Sequence, residues 1–88
     1  MTTRPAPAMH EVVDVRRGSV RVSGHLTSQG ADLLRGTVES LFRGGHRRVL
    51  VDLGDVRGTD PAGVHVLRDV ERVVAARGAE LVVRPPLD

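Results

Sequence analysis

The residues with chemical potential in this chain gather in one stretch, Asp52-Leu53-Gly54-Asp55-Val56-Arg57-Gly58-Thr59-Asp60-Pro61-Ala62-Gly63-Val64. Asp52 and Asp55 have the side chains for paired-carboxylate acid–base work, yet a strand end and a turn account for both. Thr59 is the hydroxyl next to the helix start that Asp60 and Pro61 announce. It reads as a loop residue that helps to cap. The two positions after Asp60 hold Pro and Ala, which bring no side-chain chemistry. Elsewhere, His10, His25, His46 and His65 lack the spacing of a metal site, which needs several converging ligands. Ser19, Ser23, Ser28 and Ser40 have no Gly-x-Ser-x-Gly elbow around them. Gly24 and Gly30 do not make a phosphate-cradling loop. The residues therefore predict no catalytic group, no metal and no cofactor.

The elements that position this stretch follow from periodicity. Residues 1–10 read as a flexible leader, and 11–88 as one domain. Glu11 to Arg16 and Ser19 to Gly24 are short Val-rich runs around an Arg17-Gly18 turn, the pattern of a β-hairpin. After a loop over Gly24 to Ser28, with Ser28 as N-cap, a helix runs to about Arg43. Ala31, Leu34, Thr37, Val38, Leu41 and Phe42 form its apolar stripe, and Gly44-Gly45 ends it. Arg48 to Leu53 is a near-continuous apolar run of the kind found in a central parallel strand. It passes through a short turn to a second helix with Asp60 at the N-cap and Pro61 in the first helical position. The inward stripe there is Gly63, Val66, Leu67, Val70, Val73 and Val74, with Gly63 allowing close helix–sheet contact. Val64 falls on the shoulder of that helix. Gly78 closes it, and Glu80 to Arg84 is the last strand. The order β-β-α-β-α-β specifies an α/β fold: a small mixed sheet with the helices mainly on one face.

Composition narrows the function classes. The 88 residues contain one aromatic, Phe42, so a base-stacking platform for single-stranded nucleic acid is disfavoured. The basic residues are all Arg, and the net charge is only +2. A nucleic-acid footprint needs clustered cations, and the nearest cluster, Arg43, Arg47 and Arg48, sits where Arg complements a helix C-terminus. The absence of cysteine rules out disulfides and Cys-based zinc sites. Residues 1–10 have no apolar core of a secretory signal, and no apolar run reaches the ~20 residues of a membrane span. A cytoplasmic protein without nucleic-acid or membrane partners is expected.

From about Val13 to Val83 the chain resembles the STAS domain family, the fold of bacterial anti-sigma factor antagonists. The family pattern is a strand ending Gly-Glu-Leu-Asp, a helix, then Asp-Leu-Ser, a hydrophobe, and Asp-Ser-Ser-Gly-Leu opening the second helix. Here the matching residues are Gly24-His25-Leu26-Thr27, Asp52-Leu53-Gly54, Val56 and Asp60-Pro61-Ala62-Gly63-Val64, with Arg77-Gly78-Ala79-Glu80-Leu81-Val82 entering the last strand. The resemblance implies a non-catalytic module that binds an anti-sigma factor of kinase-type fold. It implies a contact surface of Thr59, Asp60, Pro61, Ala62, Gly63 and Val64, with Arg57, His65 and the loop from His25 through Thr27 to Ser28 around it.

In that family the first Ser after the Asp is phosphorylated by the partner, and the unphosphorylated form binds it. A phosphate there adds close to two negative charges at the centre of a contact surface. Pro61 stands at that position and has no hydroxyl, which makes the neighbouring Thr59 the candidate substitute phosphoacceptor. Ala62 replaces the second Ser, and His25 and Thr27 replace the acidic residues of the first loop. The family also continues past the fourth strand into another helix, where this sequence ends at Asp88. The expectation is an interaction module not switchable at the usual position, with homo-oligomerisation open. The alternative is a structural subunit of a larger assembly, such as a stress-sensing complex or lipid-transport machinery.

Overall fold

The sheet begins with the Val-rich hairpin. The computed structural model describes residues 9–86. In it β1 (Met9–Asp14) and β2 (Ser19–Leu26) pair antiparallel, α1 (Ser28–Arg43) leads to β3 (Arg48–Thr59), and α2 (Pro61–Ala76) leads to β4 (Glu80–Arg84). The strands lie in the order β1-β2-β3-β4, with β3 parallel to both neighbours. This is the mixed β-β-α-β-α-β sheet that the periodicity specifies. Gly18, at φ +66, closes the hairpin and donates its N–H to the Asp14 carbonyl at 2.9 Å. The left-handed conformation there suits a residue without a Cβ.

Period-two alternation directs one face of the sheet into the core. Val20, Val22 and Leu26 of β2, Val49, Val51 and Leu53 of β3, and Leu81 and Val83 of β4 meet Ala31, Leu34, Val38 and Leu41 of α1 and Leu67, Val70 and Val74 of α2. The helices also pack on each other. Both therefore lie on the same face. The core is wholly aliphatic, with no buried polar side chain among the described residues. The stripe of α2 is narrower than the sequence suggests: Val66 is half-buried and Val73 is 49% exposed. At 3.6 residues per turn Val73 falls on the flank of the line through Gly63, Leu67, Val70 and Val74.

Several boundaries differ from expectation, each for a local reason. β1 starts at Met9 and not at Glu11, because Met9 and His10 pair with Gly24 and Ser23 and Met9 packs against the core. The rest of the expected leader lies outside the described residues. The N-cap of α1 is Thr27, whose Oγ1 accepts from the Gly30 N–H at 2.9 Å, while Ser28 is already helical.

The largest difference lies at the ends of β2 and β3. β2 continues to Leu26 where a loop from Gly24 was expected, and β3 continues to Thr59 where a turn after Leu53 was expected. The two pair throughout this extension, with register shifts between Arg21 and Ser23 and between Gly24 and His25. An irregular ladder of this kind absorbs extra residues and bends the strand without ending it. Asp52 supports the bend by accepting the Gly54 N–H at 2.8 Å. No helix among the described residues is long and apolar enough to cross a membrane.

Candidate functional site

The extended ends of β2 and β3 carry the site. His25 pairs with Gly58, and Leu26 with Thr59. The chain then turns into α2 at Asp60, whose N–H donates to the Leu26 carbonyl at 2.8 Å. Gly58 makes room for the imidazole: a Cβ on it would lie 2.8 Å from His25 Nδ1. The ring reaches Asp60, with Nε2 3.0 Å from Oδ1. A carboxylate only accepts, so Nε2 carries the hydrogen and donates it. The two side chains are 33% and 51% exposed, and a link this wet contributes ~0.2–1 kcal/mol.

Asp60 occupies the N-cap of α2 with extended backbone (φ −89, ψ 142), and Pro61 begins the helix as expected. Its side chain makes no capping hydrogen bond; the carboxylate faces His25 instead. The capping role predicted for Asp60 is thus fulfilled by backbone geometry, and the side chain ties α2 to β2. Gly63 brings the same two elements together. A Cβ there would stand 2.8 Å from the Thr27 carbonyl oxygen and 2.9 Å from that of Leu26. The first turn of α2 therefore sits directly on the backbone that leaves β2, the close approach expected of this glycine. Thr27, at the same point, caps α1. The ends of two strands and the starts of two helices are joined in one place.

Of the residues expected at a contact surface, the structure groups His25, Thr27, Asp60 and Gly63 through these contacts. Thr59, Pro61 and Ala62 are exposed around them, and Val64 is half-buried. Arg57 is exposed on β3 and lines a separate shallow groove with Ser23, Gly24, Gly54 and Asp55. The His25–Asp60 link is the feature that sequence reasoning missed, since no spacing rule connects positions 35 apart. Of the other histidines, His46 supports the hairpin, with Nε2 2.6 Å from the Val15 carbonyl oxygen and its ring beneath Gly18, where a Cβ would meet Nδ1 at 2.7 Å. What the site offers chemically is an exposed tip, Thr59 to Ala62, in which Asp60 is the one charged residue and is paired with His25.

A strand-to-helix tip of this kind, on a four-stranded mixed sheet with both helices on one face, defines the class of the protein. The family model described as "Mlab, STAS domain" matches residues 7–87, and the chain belongs to the STAS domain family. Among solved structures, the fold is similar to the anti-sigma factor antagonist SpoIIAA in its unphosphorylated form, at 17% identity over 94% of this chain and 76% of that one, TM-score 0.61. It is equally similar to the Bacillus cell fate determinant SpoIIAA in the phosphorylated form, at 18% identity over 93% of this chain and 74% of that one, TM-score 0.61. The structure of Mglu also matches, at 21% identity and TM-score 0.62 over 78% of this chain, which spans 18% of the length of Mglu. No curated protein matches this chain in sequence.

Proposed function

We propose that this chain is a non-catalytic regulatory module of the anti-sigma factor antagonist type, which docks a kinase-type anti-sigma partner through the tip at the start of α2. The contact residues are Thr59, Asp60, Pro61, Ala62, Gly63 and Val64, with Arg57, His25 and Thr27 at the margin. The observation that carries this reading is the tip itself. Pro61 and Ala62 stand exposed at the first positions of α2, on a platform held by the Asp60 N–H, the His25–Asp60 bond and the Gly63 contact. Such a surface is preorganised for a partner, and rigid presentation lowers the entropic cost of docking. Proline at the phosphoacceptor position of the family pattern removes the hydroxyl that a partner kinase would modify. The module therefore stays competent to bind when the ordinary off-signal is given.

The test is a kinase assay paired with a binding assay, using kinase-type anti-sigma factors of the source organism and ATP. The native chain is expected to bind one of them and to remain unlabelled. The Pro61→Ser variant is expected to bind and then to be labelled and released. Stoichiometric labelling of the native chain at Thr59, or failure of every such partner to bind, overturns the reading.

A second reading, a structural subunit of a larger stress-sensing or lipid-transport assembly, is favoured by one observation. Val13, Val15 and Leu33 are 41%, 67% and 71% exposed and line a groove between β1 and α1, remote in sequence from the tip. The two readings separate by which of the two surfaces, once substituted, releases a captured partner.

A further inference from the structure

The sheet ends on one side at β4, whose outer edge pairs with none of the described residues. Glu80 donates its N–H to the Arg47 carbonyl at 2.9 Å. In a parallel ladder, alternate residues turn both backbone groups toward the same neighbour. Glu80, Val82 and Arg84 thus face β3 with theirs, and Leu81 and Val83 turn theirs outward. Side chains alternate in step. Leu81 and Val83 enter the core, while Glu80 and Arg84 are exposed and Val82 is half-buried on the open face.

The strand Glu80-Leu81-Val82-Val83-Arg84 is its own complement when laid against a reversed copy of itself. Antiparallel about Val82, Glu80 stands opposite Arg84 of the second copy, and Arg84 opposite that copy's Glu80. Leu81 and Val83 of each chain form the hydrogen-bonded pairs, so their outward N–H and C=O groups are satisfied. Val82 meets its equivalent at a non-hydrogen-bonded position, where side chains come closest. Sliding the strands by two residues sets Glu80 against Val82 and loses both charge pairs. The opposite edge of the sheet offers a weaker match: about Val12, His10 would stand opposite Asp14 of the second copy, but the Asp14 carboxylate already accepts the Arg17 N–H at 3.1 Å within its own turn, and a neutral imidazole makes no charge pair. On the helix side the same register would set the Glu11 carboxylate against the apolar Val13, whereas β4 places only apolar Leu81 and Val83 on that side.

We propose that β4 is a homodimerisation edge, at which two copies of this chain join antiparallel about Val82 into one continuous sheet. The contact is isologous and closes on itself, with both helical layers on the same face. β4 pairs only with Arg48 to Asp52 of β3 among the described residues, and Thr59 lies ~20 Å further along that strand at the usual rise per residue. The junction therefore leaves the tip of α2 free, and the dimer goes beyond the docking function proposed above.

Sedimentation velocity on the full chain, from low micromolar to several hundred micromolar protein, tests the proposal. A concentration-dependent dimer is expected, weakened by salt as its charge pairs are screened. Glu80→Arg and Arg84→Glu each set like charges opposite one another in both pairs. Each variant alone is expected to dimerise about tenfold more weakly or worse. Mixed in equal amounts the two variants are complementary again, and they are expected to recover the dimer as a heterodimer; the double exchange is expected to recover it as a homodimer. Far-UV circular dichroism monitors folding, since Glu80 also faces Arg48 at 3.4 Å. A native chain that stays monomeric throughout, single variants that dimerise as the native chain does, or a mixture that shows no recovery each overturns the proposal. None of these results alters the kinase and binding assay at the tip.

Discussion

At the scale of single residues, the site depends on what glycine omits as much as on what other side chains supply. Gly58 leaves the space that the His25 ring fills, and Gly63 leaves the space into which Leu26 and Thr27 carbonyls press. The obstacle at Gly63 is backbone oxygen, which cannot swing aside as a flexible side chain does. Gly63→Ala is therefore expected to lower stability by ~1–3 kcal/mol despite the better helix propensity of Ala, as measured by urea unfolding. A neutral or stabilising outcome would show that α2 lifts off the end of β2 at little cost. The His25–Asp60 bond acts on a smaller scale. Its two groups are part-exposed, so its use is to fix the direction of the Asp60 side chain more than to hold the fold.

At the scale of elements, the two helices start by different means. α1 has a side-chain cap from Thr27 and α2 has none; its start rests on Pro61, the Asp60 backbone and the contact at Gly63. Thr27→Ala is expected to cost ~1 kcal/mol, the usual value of a lost N-cap. Ser28→Ala, at the neighbouring exposed helical position, is expected to fall within about ±0.5 kcal/mol. Thermal unfolding of the two variants side by side checks the assignment, and the reverse order of effects would return the cap to Ser28. The surface pairs along the helices, Asp32–Arg35, Arg35–Glu39 and Asp69–Arg72, are solvated and add little.

At the scale of the molecule, one layer of helices lies on one face of a small sheet, and an aliphatic core without aromatic bulk holds them together. A domain of this size has a net stability of only ~5–15 kcal/mol, toward the lower end for short chains. Leu67 is fully buried at the centre of α2. Leu67→Ala is expected to cost ~2–5 kcal/mol through the lost side chain and the cavity it leaves, enough to bring the domain near unfolding at ambient temperature. Retention of a native-like midpoint in chemical denaturation would mean that α1 and α2 close over the gap. The same architecture leaves β4 as an edge, and dimerisation there would add stability that rises with protein concentration.

The sequence alone determined the element order, the sheet's mixed character, the buried strand residues and the helix stripes through Leu34 and Leu67. Period-two and period-3.6 patterns are local, and they survive in any fold that buries one face of each element. It also placed the tip correctly in outline, because Asp60-Pro61 is a local helix-start signal. Gly54, Gly58 and the flanking acids carry a strong local turn signal. That they lie in an irregular strand instead was decided by the neighbouring strand, which pairs with them as far as Thr59. The link from His25 to Asp60, the diversion of the Asp60 carboxylate from capping and the need for Gly63 likewise exist only once β2 and α2 meet. Interactions within a few residues are written in the chain, whereas contacts across 35 positions arise only from the packing that brings them together.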